Sequence, residues 1–256
     1  MSILDSIVLG IIEGITEFLP ISSTGHLILS SKLLGLGQTE FLKSFEIAIQ
    51  LGAILSVVVL YWRSFFVSLE TLKRILAAFI PTALIGALLY NIVKGFLLSN
   101  EQVVLWSLLL GGIALILFEY WHKEKPDASE DIASMPYKTA ALIGLAQSVA
   151  IIPGVSRAAA TILGGLLLNL KRKTIVEFSF LLAVPTMAAA TGLDLYKSTG
   201  QFSLDQFEVL AVGFIVSFLV AMGAIKFLLS FIQKHSFVSF GIYRIIVALV
   251  FWWIIL

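Results

Sequence analysis

The chain has 256 residues, of which 59% are hydrophobic and 13% charged, and its mean hydropathy is +1.02. This composition predicts a polytopic integral membrane protein without an additional soluble domain of any size. The net charge of +1 supplies no basic field, so nucleic-acid binding is not expected. Cysteine is absent, which excludes disulfides, thiolate nucleophiles and cysteine metal sites. No removable signal peptide is expected, since the N-terminus lacks a basic segment followed by an apolar core.

A run of ionisable and hydroxyl side chains interrupts the first apolar stretch, near residues 3–34. Such groups cost free energy in hydrocarbon unless the protein uses them. Glu13 and Glu17 are four residues apart, so a helix places both carboxylates on one face, and Pro20 is well placed to end that helix. The loop that follows carries the rest of this motif, which is Ser22, Ser23, Thr24, Gly25 and His26.

Apolar runs long enough to cross about 30 Å of hydrocarbon predict six membrane spans. They lie near residues 41–61, 75–97, 103–121, 175–195, 207–229 and 240–256. Two more apolar stretches, 3–34 and 138–170, contain Pro, Gly and hydroxyl residues, and each is predicted to form a re-entrant helix–loop–helix hairpin. A broken backbone is tolerated at membrane depth only where protein or a polar cavity surrounds it. The predicted fold class is therefore all-α, with six transmembrane helices and two re-entrant hairpins.

The only long polar stretch, residues 123–137, divides the chain near its middle and is predicted to be a cytoplasmic linker. Residues 1–122 then form a first repeat and residues 138–256 a second. Each repeat has one hairpin followed by three spans. Because three is an odd number, the second copy enters the membrane from the opposite side, which predicts an inverted-topology repeat.

The second hairpin carries an arginine between two apolar stretches. The Arg157 guanidinium stays charged when desolvated, and its forked donors match phosphate oxygens. Pro153 and Gly154 break the helix and leave backbone N–H groups free, which favours an anion. We therefore expect Arg157 to bind phosphate, with Ser156 and Thr161 adding hydroxyl contacts. The alternative is a structural ion pair between Arg157 and a buried carboxylate.

The distribution of basic residues predicts the orientation, because short cytoplasmic loops carry an excess of Lys and Arg. With the N-terminus outside, twelve of the 17 basic residues, Arg244 among them, fall on the cytoplasmic face, and Arg157 is intramembrane. The first hairpin then opens to the extracytoplasmic side. The smaller, extracytoplasmic group of basic residues is Lys32, Lys43, Lys94 and Lys197.

The first motif combines groups that phosphoryl transfer uses. Glu13 and Glu17 suit a divalent cation, Mg²⁺ or Ca²⁺, or a general base, and the alternative is a protonated glutamate that bonds another helix. The hydroxyl loop supplies nucleophiles, and His26 is near enough in sequence to move a proton or to attack phosphorus itself. Ser23, His26 and water all remain open as the nucleophile. Together the two motifs predict phosphate chemistry inside a membrane.

At these residues the chain resembles the undecaprenyl pyrophosphate phosphatase family, also called the bacitracin-resistance proteins, over essentially its full length. Residues 13–26 match the first family motif completely, as Glu-Gly-Ile-Thr-Glu-Phe-Leu-Pro-Ile-Ser-Ser-Thr-Gly-His. Residues 153–161 match the second motif, usually Pro-Gly-x-Ser-Arg-Ser-Gly-Ala-Thr, with Ala158 and Ala159 in place of Ser-Gly. That departure removes one hydroxyl and some backbone freedom, and the arginine and both flanking hydroxyls remain.

The resemblance implies hydrolysis of undecaprenyl pyrophosphate to the monophosphate on the extracytoplasmic side of a bacterial plasma (inner) membrane. This reaction would recycle the lipid carrier for peptidoglycan synthesis and confer bacitracin resistance. The resemblance also implies that a divalent cation assists, and that the catalytic groups are Glu17, Ser23, His26 and Arg157. We expect further residues of both motifs to bind the substrate beside Arg157, namely Ser22, Thr24, Gly25, Ser156 and Thr161.

A secondary transporter, or a flippase for a polyprenyl phosphate or another anion, is the rival interpretation. Inverted repeats with broken helices are the architecture of alternating access, and a flippase would use the same Arg157. The discriminating feature is the combination of His26, hydroxyls and carboxylates, because transport needs binding groups but no nucleophile. The sequence leaves open whether two chains form a homodimer.

Overall fold

Helices are the regular elements of this chain. The computed structural model describes residues 1–37, 39–92, 97, 100–197 and 204–255. Within these ranges there is no strand, and an isolated bridge between Ser129 and Leu170 is the nearest approach to a sheet. The all-α fold class is therefore confirmed for the described part of the chain.

The first half of the chain begins with two short helices and continues with longer ones. In chain order its helices are α1 (Ile3–Thr16), α2 (Ser23–Leu33), α3 (Glu40–Leu60), α4 (Trp62–Phe66), α5 (Leu69–Ile92) and α6 (Glu101–Trp121).

The second half follows the polar linker and, apart from α4 and a 3₁₀ turn, has the same order of short and long helices. Its elements are α7 (Tyr137–Gln147), a 3₁₀ turn (Ser148–Ile151), α8 (Arg157–Leu167), α9 (Arg172–Lys197), α10 (Leu204–Phe231) and α11 (Val238–Ile255).

Five of the described helices are long and apolar enough to cross a membrane. They are Glu40–Leu60, Leu69–Tyr90, Glu101–Trp121, Arg172–Leu193 and Gln206–Phe231, and they correspond to five of the six predicted spans. Residues 93–96 of the predicted span 75–97 lie outside the described residues. The sixth predicted span falls on α11, whose 18 residues extend about 27 Å, slightly less than the hydrocarbon thickness. The count of six spans is therefore not confirmed.

Each of the two stretches predicted to form a re-entrant hairpin contains two short helices packed side by side, α1 with α2 and α7 with α8, and their re-entry into a membrane stays a prediction. Helix α1 has 14 residues and the other three have 11 each, so none is longer than about 21 Å. Each of these helices is thus too short to cross the hydrocarbon core alone. The first begins with a capping box in which Ser2 and Asp5 bond each other's backbone N–H.

The helices of the two halves pack on one another in a reciprocal way. Helix α1 of the first hairpin packs on α10, and α7 of the second hairpin packs on α5. The pairs α3 with α10 and α9 with α5 correspond in the same manner, and α6 packs on α11. Exchanging the halves therefore reproduces these helix pairs. The boundaries of the repeats themselves stay a prediction.

Glycines allow the hairpin helices to approach the long helices closely. A Cβ atom at Gly14 in α1 would lie 2.8 Å from the carbonyl oxygen of Ser217 in α10. At Gly144 in α7, a Cβ would collide with the backbone of Ala78 in α5. Small residues at helix contacts give van der Waals packing where lipid supplies little hydrophobic driving force. This packing holds the first hairpin against α10 and the second against α5.

Candidate active site

Both hairpins turn at a serine with positive φ. The angle is 74° at Ser22 and 80° at Ser156, values that residues other than glycine adopt infrequently. Each serine is the N-cap of the helix that follows. Ser22 Oγ accepts a hydrogen bond of 3.3 Å from Gly25 N–H, and Ser156 Oγ accepts one of 3.2 Å from Ala159 N–H. The two motifs therefore form equivalent turns, and the residue after each serine opens a helix.

A cavity of about 240 Å³ lies between the two hairpins. Long helices complete the wall, which includes both polar and apolar residues. The polar ones include Glu17, Ser22, Ser23 and Thr24 from the first hairpin and Ser156 and Arg157 from the second. The structure thus brings residues of both motifs to one cavity.

Glu17 is the residue that connects the two motifs. Its Oε2 accepts a hydrogen bond of 2.5 Å from Ser23 Oγ, and its Oε1 lies 3.0 Å from Arg157 Nη2. The Glu17 side chain is 4% exposed and that of Arg157 is 12% exposed. A bond between charged groups in such a sheltered place is stronger than the same bond in water. A hydroxyl, a carboxylate and a guanidinium therefore form one chain of contacts in the cavity wall.

Arg157 is held by protein groups but keeps one free donor. Its Nη1 donates to the carbonyl oxygen of Ser179 at 2.8 Å, and its Nε–H is buried without a partner. The ion pair that was the alternative interpretation of Arg157 is thus present, with Glu17 as the carboxylate. Phosphate binding by Arg157 stays a prediction, and the unpartnered Nε–H is a donor that an anion would satisfy.

His26 faces away from Ser23, toward α11. Its Nδ1 lies 2.7 Å from the Ser22 carbonyl oxygen, and its Nε2 lies 2.9 Å from Tyr243 Oη. A carbonyl only accepts, so Nδ1 carries the hydrogen and, in the neutral ring, Nε2 accepts from the tyrosine hydroxyl. The imidazole also stacks on the Tyr243 ring at 5.5 Å. Both nitrogens are therefore engaged, and the catalytic role of His26 stays a prediction.

Three of the five remaining predicted binding residues lie on the cavity wall. Ser22, Thr24 and Ser156 line the cavity, whereas Gly25 and Thr161 are not among its lining residues. Thr161 Oγ1 is instead 3.1 Å from Gln147 Oε1. Gln147 Nε2 in turn donates to the hydroxyls of Thr82 and Thr186 at 3.1 and 3.2 Å. This buried network supports the start of α8, where Arg157 stands.

Glu13 stands one helical turn before Glu17. It is fully buried, and neither of its carboxylate oxygens has a hydrogen-bond partner. A buried carboxylate without partners is costly, and a hard cation would satisfy it. The described residues contain no group of three or more His, Cys, Asp or Glu side chains suited to a metal ion. A divalent cation, Mg²⁺ or Ca²⁺, at Glu13 and Glu17 therefore stays a prediction, and further ligands would have to come from outside these two side chains.

Comparison with known proteins identifies a family whose model covers most of the chain. The model of the family described as bacitracin resistance protein BacA matches residues 6–250. The chain belongs to the BacA family. Relatives from Sulfurihydrogenibium sp. (strain YO3AOP1) and Aquifex aeolicus (strain VF5) are both 54% identical, over 98% and 96% of this chain and 99% and 96% of their own. One from Persephonella marina is 52% identical over 98% of each chain. All three are named undecaprenyl-diphosphatase, and the resemblance found in the sequence is confirmed.

Two residues near the site lie outside the BacA motifs and were missed by the sequence reasoning. One is Tyr243, the partner of His26. The other is Arg244. Its assignment to the cytoplasmic face was wrong, because the side chain is 0% exposed and donates hydrogen bonds to backbone carbonyl oxygens inside the protein. Removing it leaves eleven basic residues against four, so the charge bias persists. The signal that was overlooked is an arginine inside an apolar run, which is costly in a membrane unless it has partners.

Proposed function

We propose that this chain is an integral membrane phosphatase that hydrolyses undecaprenyl pyrophosphate to undecaprenyl phosphate and inorganic phosphate. The observation that carries the proposal is Glu17, bonded to the Ser23 hydroxyl on one oxygen and to the Arg157 guanidinium on the other. The names of the BacA relatives supply the substrate. Apolar residues also line the cavity, among them Ile151, Met187 and Ala190, which would suit a lipid.

The contacts support a reaction through Ser23. Arg157 exchanges its bond to Glu17 for the terminal phosphate, and Ser23 Oγ attacks the phosphorus while Glu17 accepts the hydroxyl proton. As the Oγ–P bond forms, the bond to the bridging oxygen breaks, and its electron pair leaves with undecaprenyl phosphate. Water then displaces the serine from phosphorus. Glu17 returns its proton to Oγ, and inorganic phosphate leaves with the protons of the water.

A divalent cation is part of the proposal, with Glu13 and Glu17 as its protein ligands. When bound, Mg²⁺ or Ca²⁺ would neutralise negative charge on the pyrophosphate. Activity of the purified protein should therefore disappear with a chelator and return with either ion. Binding of Mn²⁺, followed by electron paramagnetic resonance, should weaken in Glu13→Gln while Glu177→Gln binds as the wild type does. Full activity in metal-free buffer would remove the ion from the proposal.

The proposed membrane arrangement has six spans and two re-entrant hairpins in an inverted-topology repeat. The short hairpin helices and the reciprocal packing of the two halves support it. We place the protein in a bacterial plasma membrane, with the site open to the extracytoplasmic side as the basic residues favour. There it would recycle the lipid carrier for peptidoglycan synthesis and, by consuming the pyrophosphate form, confer bacitracin resistance.

The decisive test is phosphate release by the purified protein from undecaprenyl pyrophosphate in detergent or liposomes. The wild type should release one phosphate for each lipid, and Ser23→Ala should release none above background. Thr71→Ala, at a buried hydroxyl near the start of α5, serves as the matched control. Binding of the lipid without phosphate release would contradict a phosphatase and favour the transporter.

A further inference from the structure

Arg244, on α11, is fully buried, and within the part of the chain that the structure describes its guanidinium bonds only to backbone carbonyl oxygens. Its Nη1 donates to Pro20 at 3.2 Å and to Val155 at 2.9 Å. Its Nη2 donates to Ser107 and Gly154, both at 2.9 Å. Its Nε donates to Leu108 at 3.3 Å. The five N–H groups of the guanidinium thus have five carbonyl partners.

These carbonyls belong to three separate parts of the protein. Each hairpin has a break between its helices, residues 17–22 in the first and residues 152–156 in the second. Pro20 is in the first break, and Gly154 and Val155 are in the second. Ser107 and Leu108 belong to α6. One rigid planar group therefore joins both breaks to the same long helix. Because all its donors are used, Arg244 has none left for a phosphate, in contrast to Arg157 with its free Nε–H.

The burial of this charge requires an explanation. No carboxylate bonds the Arg244 guanidinium among the described residues, and α11 is an apolar helix in a protein for the membrane. A buried charge is strongly destabilising unless polar groups surround it. Desolvation of this arginine costs free energy, and what the five bonds provide is a fixed geometry between the two breaks. Pro20 is three residues from Ser23, and Val155 is two residues from Arg157.

We propose that Arg244 is a positioning residue for the reaction, which sets the distance between the Ser23–Glu17 pair of one hairpin and Arg157 of the other. The inference rests on the proposed phosphatase function. Arg244 touches neither the substrate nor the reacting atoms. Its effect comes through the alignment of the two hairpins, and a misplacement of about 1 Å at a reacting centre lowers turnover by about 100-fold.

Two substitutions disturb this contact in different ways. Arg244→Lys keeps the charge but loses the planar fork, so it is unable to bond both breaks together. Gly111→Ala leaves Arg244 in place but adds a Cβ on α6 that would collide with Nη2 and lie 2.7 Å from Cζ. The guanidinium then has to give up some of its five bonds. Gly223→Ala on α10 is the matched control, since a Cβ there meets nothing within 4 Å.

The experiment measures kcat and KM for undecaprenyl pyrophosphate, with thermal unfolding in detergent to show that each variant is folded. Arg244→Lys and Gly111→Ala should each lower kcat by about 100-fold while KM changes by less than about threefold. Gly223→Ala should match the wild type. In an Arg157→Lys background the further loss from Arg244→Lys should be much smaller, because the two residues act through one alignment.

A kcat of Gly111→Ala close to that of the wild type would overturn the inference, even if Arg244→Lys failed to fold. Losses from Arg157→Lys and Arg244→Lys that simply multiply would overturn it too, since they would show independent effects. If both Arg244→Lys and Gly111→Ala unfold while Gly223→Ala does not, Arg244 serves folding alone. Absence of phosphate release by the wild type would contradict the proposed function instead. If the wild type is active, normal turnover in the variants would contradict only the positioning role of Arg244.

Discussion

At Glu17, one carboxylate serves two partners from opposite halves of the chain. Its contact with Ser23 gives a hydroxyl group a proton acceptor, and its contact with Arg157 balances a charge that would otherwise be isolated in the protein interior. These two contacts depend on separate oxygens of the same side chain. A substitution of Glu17 is therefore expected to disturb two contacts together, the one with the Ser23 hydroxyl and the one with the Arg157 guanidinium.

We predict that Glu17→Gln lowers kcat for phosphate release by about 100-fold or more, because an amide accepts no proton from Ser23. The measurement is turnover at saturating lipid, with the folded fraction of each variant determined by thermal unfolding. Glu177→Gln is the control, at a half-buried carboxylate of α9 that does not line the cavity, and it should keep turnover within about twofold of the wild type. Normal turnover in Glu17→Gln would exclude this carboxylate as the base.

The nucleophile leaves a chemical signature that separates Ser23 from His26. Ser23 Oγ is bonded to a carboxylate, while both nitrogens of His26 are engaged elsewhere. Rapid quenching should therefore trap a phosphoenzyme that is stable to acid, as phosphoserine is. It should be absent in Ser23→Ala and present in His26→Ala. An acid-labile phosphoenzyme that depends on His26 would instead identify the imidazole as the nucleophile, and no phosphoenzyme in any variant would favour direct attack by water.

The residues of the site were predictable from the two motifs, whereas their partners were not. Glu17, Ser23 and Arg157 stand out because charged and hydroxyl groups are costly in an apolar chain. Sequence proximity suggested that His26 serves Ser23, but the first turn of α2 directs the imidazole to Tyr243. Which distant helix packs on a given side chain is decided by tertiary structure. The local spacing of residues carries no information about it.

At the scale of elements, the two serine turns define where each hairpin reverses. Both Ser22 and Ser156 combine a positive φ with a side-chain cap on the next helix. The positive φ is tolerated because the cap and the packing around the turn compensate for it. Serine is thus used here for its hydroxyl, in a conformation that glycine adopts more easily.

Substitutions at Ser156 should separate these two properties. Ser156→Ala removes the cap but keeps the cost of the positive φ, so we expect it to lower the free energy of unfolding by about 1 kcal/mol. Ser156→Gly also removes the cap but relieves the φ, and its loss should be only a few tenths of a kcal/mol. Chemical unfolding of both variants in the same detergent tests this order. A larger loss for glycine than for alanine would contradict it.

Most helices were predictable from the apolar runs, but their ends and contacts were less so. Helix α5 begins at Leu69, six residues before the predicted span, because Glu70 forms ion pairs with Lys73 and Arg74 that support the first turn. The contacts of the long helices could not be read from periodicity. In a membrane, the side of a helix that meets lipid is as apolar as the side that meets protein.

At the scale of the whole molecule, the two halves contribute complementary parts to one cavity. The first half provides the carboxylate and the hydroxyl, and the second half provides the guanidinium. Each hairpin also packs on a long helix of the opposite half. Neither half therefore contains the complete chain of contacts from Ser23 to Arg157, and the side from which a substrate enters depends on the orientation of the whole protein in the membrane.

The orientation can be tested with introduced cysteines, since the chain has none of its own. We predict that Gly37→Cys, in the exposed loop between α2 and α3, reacts in intact spheroplasts with a thiol reagent that does not cross membranes. Asp127→Cys, in the exposed linker, should react only after lysis. Both substitutions lie at open positions, so their folded fractions should match the wild type. Labelling of Asp127→Cys alone in intact spheroplasts would invert the proposed topology.

The bond between Glu17 and Arg157 also has a consequence for the order of events in a cycle. While no lipid is bound, the carboxylate occupies the guanidinium and acts as an intramolecular competitor of the substrate. A pyrophosphate group carries more negative charge than a monophosphate and competes more strongly for Arg157. Once the terminal phosphate has left, the balance shifts back toward Glu17. In the proposed reaction, the carboxylate that accepts the proton of Ser23 would therefore also help to expel the product lipid, by restoring the Glu17–Arg157 ion pair in the empty site.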